Sequence, residues 1–124
     1  LLTSLQTIDL SFNLLSGLCS DGEAFAKLTN LKTFTALNNR FSGPLPSDMF
    51  SVDSSPMSHL LLSSNLITGT IPSTIGRLTN LELLSVGANL ITGSLPTQIG
   101  NLSNVILMML DINQISGVLP TQVG

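Results

Sequence analysis

The chain repeats one twelve-residue phrase at a fixed interval. The phrase NLITGSLPTQIG occupies residues 89–100, its near copy NLITGTIPSTIG lies 24 residues earlier, and NQISGVLPTQVG follows at 113–124. A unit this short cannot bury its own apolar positions, whereas stacked neighbours bury one another's. The repetition therefore predicts a core that is built in layers, with one layer from each unit.

Alignment on a recurring asparagine divides the sequence into five units. Every unit has apolar residues three, five and eight positions before this asparagine and two positions after it, followed by Ser or Thr and then Gly. Four of the five units continue with an apolar residue and Pro. We place the units at 1–27, 28–53, 54–77, 78–101 and 102–124, and the aligned asparagines are Asn13, Asn39, Asn65, Asn89 and Asn113.

Each feature of the unit predicts a local structure. Two apolar positions separated by one residue are typical of a short strand with one buried face. The asparagine amide can both donate and accept, so we expect a ladder of buried hydrogen bonds between adjacent turns of the chain. The Gly after Ser or Thr permits a tight bend with positive φ. The spacing of Ile75, Leu78 and Leu81 favours a short 3₁₀-like turn facing inward.

Composition and motifs exclude several classes of function. Charged residues make up 9% of the chain and the net charge is −3, so no basic surface indicates nucleic acid or an anionic membrane. Cys19 is the only cysteine, and we expect it to be a small buried apolar residue. There is no Gly-rich phosphate loop and no Cys/His set with metal-ligand spacing, so we predict that this chain is not an enzyme and holds no cofactor.

These units resemble the plant-type leucine-rich repeat, LxxLxxLxLxxNxLSGxIPxxLGxLxx. Residues 78–101 follow that pattern almost position by position, and the resemblance covers essentially the whole chain. It implies an α/β-type, right-handed solenoid, mostly strand, irregular and 3₁₀ structure, with a parallel sheet on the concave face and a smaller sheet on the flank. Cys19, Ala36 and Ser54 depart from the pattern, and we expect a weak joint between units two and three.

The resemblance also implies a function. It favours a binding module from the extracellular ectodomain of a plant receptor-like kinase or receptor-like protein in signalling or defence, with a protein or peptide ligand and a co-receptor as partners. The abrupt ends without caps suggest a piece of a longer protein, which in a receptor-like kinase would carry a membrane span and a kinase domain. A secreted inhibitor of the polygalacturonase-inhibitor kind and an intracellular scaffold remain alternatives, so a cytoplasmic location stays open.

In this family partners usually bind the concave face. The resemblance therefore points to the outward positions of the strands, whose N-terminal half is polar and whose C-terminal half is apolar. An exposed apolar patch on such a face is a plausible contact site, although neighbouring repeats could equally cover it. The candidate ligand-binding residues are His59, Leu61, Leu83, Ser85, Leu107, Met109 and Asp111.

One sequon occurs, at Asn101-Leu102-Ser103. It makes Asn101 a candidate glycosylation site if the chain enters the secretory pathway.

Overall fold

The computed structural model describes residues 2–18, 27–50 and 55–123. Short strands and 3₁₀ turns alternate along it. The expectations for Cys19, for the atypical loop of the first unit and for Ser54 lie outside the described residues. The elements are β1 (Thr7–Asp9), β2 (Ser16–Leu18), β3 (Thr33–Thr35), β4 (Arg40–Pro44), η1 (Ser47–Phe50), β5 (His59–Leu61), β6 (Leu66–Thr68), η2 (Ser73–Arg77), β7 (Leu83–Ser85), β8 (Thr92–Gly93), η3 (Thr97–Asn101), β9 (Leu107–Met109), β10 (Gln114–Ile115) and η4 (Thr121–Val123).

A five-stranded parallel sheet, the large sheet, forms one side of the molecule in the order β1-β3-β5-β7-β9. Its strands pair in register, so that equivalent residues of successive units lie side by side, as in the row Thr7, Thr33, His59, Leu83 and Leu107. Each strand has three residues, and each belongs to a different turn, or coil, of the chain. The predicted repeat solenoid with a parallel sheet is confirmed.

The core lies between the large sheet and the 3₁₀ turns. Leu60 and Leu84 enter it from the strands, Ile75 and Ile99 enter it from η2 and η3, and all four are almost fully buried. Complete burial of one such side chain contributes about 1.5–3 kcal/mol. Ile8 in the first strand is only partly buried, because a layer is covered only where it has a neighbour on both sides.

The flank is staggered, unlike the large sheet. It consists of a three-stranded sheet, β2-β4-β6, and the pair β8-β10. Here Ser16 lies beside Arg40, although its equivalent in the next unit is Ser42. The same two-residue offset, about 6.6 Å at ~3.3 Å per residue, recurs at the β4–β6 and β8–β10 pairs. Pure translation would place equivalent residues side by side on both sheets, so each coil must be rotated relative to the one before it.

The 3₁₀ turns approach one another closely through glycines. A Cβ added to Gly76 in η2 would lie 2.5 Å from the backbone oxygen of Gln98 in η3. A Cβ added to Gly100 would lie 2.5 Å from the Cβ of Gln122. No side chain fits at these distances, so glycine at this position is needed for coil-to-coil packing behind the core.

The aligned asparagines connect each coil to the one before it. The Nδ2 of Asn89 donates to the carbonyl of Leu62 in the preceding coil at 3.0 Å, and its Oδ1 accepts from the backbone N–H of Ile67 at 3.0 Å. Asn39, Asn65 and Asn113 make the same two bonds one coil apart. Each Nδ2 also donates to the carbonyl three residues before it in its own coil. These bonds satisfy polar groups where the chain leaves the sheet.

The first asparagine differs from the other four. Asn13 is exposed and its Nδ2 donates only to carbonyls of its own coil, those of Leu10 and Ser11. Of the five, Asn65 and Asn89 are buried, at 6% exposure each. The expectation of a buried ladder therefore describes the middle of the chain and not Asn13.

A second set of asparagines, which sequence reasoning did not find, makes one bond across each of three coil junctions. Asn30, Asn80 and Asn104 donate to the carbonyls of Thr3, Ser55 and Thr79 respectively. The third unit has Pro56 at this position, and its ring cannot donate. That junction, between units two and three, is where the departures from the repeat pattern predict a weak joint.

The residue before each aligned asparagine adopts the left-handed conformation. All five have φ between 50° and 60°: Phe12, Asn38, Ser64, Ala88 and Ile112. Asn tolerates this region, whereas a β-branched side chain such as that of Ile112 is strained in it. The turn after the strand is thus imposed by the coil and its hydrogen bonds, against the local preference of Ile112.

Replacement of Asn89 by Ala should lower the free energy of unfolding by about 1–3 kcal/mol, because the buried N–H of Ile67 loses its acceptor. Replacement of Asn13 by Ala is the matched control and should change it by less than about 0.5 kcal/mol, since water reaches that position. Denaturant unfolding of both variants tests this. Equal losses would show that the cross-coil bonds do not carry the effect.

Replacement of Ile112 by Asn should raise the free energy of unfolding by about 1 kcal/mol, because Asn tolerates the positive φ. The matched control is Ile106→Asn. Ile106 is likewise exposed (84%) but has no positive φ, so the free energy of unfolding should stay within about 0.5 kcal/mol of the parent value. Thermal and denaturant melting compare the two. If both substitutions have the same effect, the backbone strain at Ile112 is not a stability term.

Candidate functional site

The outward face of the large sheet collects the sequence-predicted binding residues. His59, Leu83 and Leu107 form one row across β5, β7 and β9, and Leu61, Ser85 and Met109 form the next. Asp111 follows two residues after β9. Because the strands are parallel and in register, residues 24 or 26 apart in sequence become direct neighbours. All seven candidates therefore lie on one surface.

Four of these residues form a continuous hydrophobic surface, the apolar patch, which consists of Leu61, Leu83, Leu107 and Met109. Leu107 is 49% exposed and Met109 37% exposed, while Leu61 and Leu83 are partly buried. Leu83 is the centre of its row, with His59 on one side and Leu107 on the other. Exposed apolar groups that adjoin across strands are a feature of contact surfaces.

Ser85 does not fit the expectation of an accessible binding residue. It is 2% exposed, and its Oγ lies 2.5 Å from that of Ser63 in the preceding coil. A serine between the larger Leu61 and Met109 is too short to reach past them. Thr35 is likewise buried, with its hydroxyl 2.9 Å from that of Ser11. The sequence signal for such a buried hydroxyl is a serine two residues after the strand of the preceding coil. This serine is Ser11 for Thr35 and Ser63 for Ser85.

His59 borders the apolar patch and is oriented by its neighbour. Its Nδ1 lies 2.8 Å from Ser58 Oγ, and that hydroxyl donates to the carbonyl of Lys32 at 3.3 Å. The tautomer of the ring decides whether Nδ1 or the Ser58 hydroxyl donates in this contact. With Nδ1 engaged by Ser58, Nε2 is the remaining hydrogen-bonding atom of the ring.

Asp111 places a carboxylate beside the apolar patch. It is exposed, and a Cβ added to Gly87 in the preceding coil would lie 2.6 Å from its Oδ1. Gly87 thus leaves room for the carboxylate to lie across the neighbouring coil. The patch therefore ends at a negative charge held two residues beyond Met109.

The other end of the face is polar. Thr7 and Thr33 occupy the row of His59, and Asp9 occupies the row of Leu61. The backbone N–H of Ser11 donates to Asp9 Oδ1 at 2.9 Å, and this bond and that to the Ser11 side chain hold the pKa of the Asp9 carboxyl below its usual value. Asp9 is therefore ionised at neutral pH, and both ends of the face carry negative charge.

Exposed leucines also occur on the flank. Leu66 is 49% exposed and Leu90 is 43% exposed. They stand directly after the aligned asparagines of units three and four. They mark the edge between flank and large sheet, and sequence reasoning did not single them out.

The described residues contain no group of three or more His, Cys, Asp or Glu side chains placed to hold a metal ion. Among the same residues no helix is long and apolar enough to span a bilayer. Asn101 is the last residue of η3 and is exposed, so the sequon lies across the core from the large sheet.

Comparison with known proteins agrees with this architecture. The family model described as Leucine Rich Repeat matches residues 4–26 and 57–78. The LRR receptor-like serine/threonine-protein kinase EFR of Arabidopsis thaliana is 40% identical over 63 residues, 51% of this chain and 6% of that protein. Receptor-like protein 36 of the same plant is 39% identical over 88 residues, 69% of this chain and 12% of that protein.

Superposition on solved structures supports the same architecture. The plant peptide hormone receptor RGFR1, solved in complex with RGF2, superposes with a TM-score of 0.91 over 98% of this chain and 19% of that chain, at 31% identity. The chain thus spans 6%, 12% and 19% of the lengths of these three proteins. The kinase relative matches in its leucine-rich repeats alone. Together with the stacked coils, these matches show that the chain belongs to the leucine-rich repeat family, with repeats of the type found in plant receptor-like kinases and receptor-like proteins.

Proposed function

We propose that the chain is a ligand-recognition segment of a plant receptor ectodomain and that the outward face of the large sheet binds a protein or peptide. The observation that carries this proposal is the apolar patch: leucine and methionine side chains from three adjacent strands are presented together at a sheet surface. Burial of that surface by a partner would be favourable by about 25 cal/mol per Å². The fold itself gains nothing from leaving it exposed.

The charges around the patch define the ligand further. Asp111 lies at one end of it and the ionised Asp9 lies on the same face. The large sheet carries no Lys or Arg within its five strands. A matching ligand is therefore a segment with an aliphatic side chain for the patch and a cationic side chain for Asp111, because opposite charges steer association and fix register.

Similarity supports the wider role. The receptor RGFR1 was solved with a peptide hormone partner, and the curated relatives are a receptor-like kinase and a receptor-like protein. By analogy the parent protein presents these coils on the outer side of the plasma membrane. Ligand binding there would recruit a co-receptor and start a signal, with any kinase activity supplied by a different segment of the parent protein.

Panning of random linear peptides against the protein tests the proposed face. Enriched peptides should combine Leu, Ile, Val or Met with a nearby Lys or Arg. The double variant Leu83→Ser/Leu107→Ser should weaken their binding about tenfold or more, since truncation of a central apolar anchor usually costs more than ~1 kcal/mol. Replacement of Asp111 by Asn should remove the preference for Lys or Arg.

The matched control is the double variant Leu66→Ser/Leu90→Ser, which removes two exposed leucines from the flank. It should leave the affinity of the enriched peptides within about twofold, a difference of only ~0.4 kcal/mol. Melting curves confirm that both double variants remain folded. If the flank variant loses binding and the sheet variant retains it, the large sheet is not the recognition surface.

A further inference from the structure

Asn101 differs from almost every other asparagine in the chain because its side-chain amide does not donate to a backbone carbonyl of a described residue. Eight of the ten asparagines have a side-chain amide that donates to a backbone carbonyl. Asn38 and Asn101 make no such bond to another described residue. Asn38 is followed by Asn39 and Arg40 and forms no sequon. The one sequon of the chain thus falls on one of the two asparagines that the coil contacts leave unused.

The side chain of Asn101 lies beside a glycine of the preceding coil. It is exposed at the end of η3, and its Nδ2 lies over Gly76 of the preceding coil, where an added Cβ would come within 3.2 Å of it. Glycine at this position keeps a side chain of the neighbouring coil away from the amide nitrogen. Ser103, the third residue of the sequon, is also exposed.

The middle residue of the sequon limits when a modification can occur. Leu102 is 4% exposed and belongs to the core, so the folded coil cannot offer the three residues as an extended segment. Transfer has to precede packing of the fifth coil against the fourth. Afterwards the coil closes with Leu102 in the core, while Asn101 and Ser103 on either side of it remain exposed.

We propose that Asn101 is an N-glycan acceptor and that its glycan projects from the 3₁₀-turn side of the coils, leaving the outward face of the large sheet free. This rests on the extracellular placement proposed above. In the transfer, Asn101 Nδ2 forms a bond to C1 of an oligosaccharide and loses a proton. The bond from C1 to the phosphate oxygen of a lipid-linked pyrophosphate donor breaks, and the lipid pyrophosphate leaves.

The placement follows from the path of the coil. In the fourth coil β7 contributes Leu83 to the outward face, Leu84 and Ile99 meet in the core, and η3 ends at Asn101 on the other side. A large polar group at Asn101 thus shields the side of the coils that bears the 3₁₀ turns. It does not reach the apolar patch, which stays available to a ligand.

Expression of the protein behind a secretion signal in a eukaryotic host tests the acceptor. The tryptic peptide that begins at Leu78 should carry one glycan at Asn101, and enzymatic removal of the glycan should leave Asp at that position. Asn101→Gln and Ser103→Ala should abolish it, and Ser103→Thr should retain it. The control Asn104→Gln should keep the glycan but lower the Tm, because Asn104 donates to Thr79 across the coil junction.

Secretion of the folded protein with Asn101 unmodified would overturn the proposal. So would stronger peptide binding by the Asn101→Gln variant than by the glycosylated protein, since the glycan would then cover the large sheet. The proposal is supported if the glycosylated protein and the Asn101→Gln variant bind the peptides with affinities within about twofold of each other and have the same Tm. If the glycan is present and no peptide binds either form, the proposed recognition function fails while the acceptor assignment stands.

Discussion

The rest of the structure depends on the amide of one asparagine per coil. Where the chain leaves each strand, a buried N–H and a buried carbonyl of the preceding coil need partners, and a single planar amide supplies both an acceptor and a donor. No aliphatic side chain could do this, and a hydroxyl is too short to bridge two coils. Because the amide reaches one coil back, it fixes the distance and register between neighbours, and the apolar layers then close over one another.

Register has a direct consequence for recognition. In the large sheet equivalent residues align without offset, so that any property shared by one position of several units becomes a continuous row. Leucines that lie 22 and 24 residues apart in the sequence, Leu61, Leu83 and Leu107, form a patch for this reason. On the flank the two-residue offset breaks such rows. The same repeat therefore produces two different surfaces. On the large sheet the small binding contributions of equivalent residues lie side by side and add up, whereas on the flank these residues are separated.

The sequence predicted the fold because the constraints on the core are periodic. The strand positions and the bend at Ser/Thr-Gly recur in every unit, the 3₁₀ turns recur in units two to five, and each follows from one local rule. The polar contacts between unlike positions were not predicted. The burial of Ser85 depends on Ser63 in another coil and on the bulk of Leu61 and Met109. Likewise Gly76 looks like a simple turn residue until the backbone of Gln98 is seen beside it.

Residues that make no contact with a neighbouring coil can take on a function without loss of stability. The four aligned asparagines that follow Asn13, the glycines of the 3₁₀ turns and the inward leucines each contact a neighbouring coil, so a substitution there affects that coil as well. In the outward rows of the large sheet, Thr35 and Ser85 bond to Ser11 and Ser63, whereas Leu107 and Met109 are exposed. The amide of Asn101 makes no hydrogen bond to another described residue. Substitutions in the outward rows of the large sheet can therefore change the ligand, and substitutions in the 3₁₀ turns can independently change which surface a glycan covers. The two sets of residues are independent because they share no contact across the core.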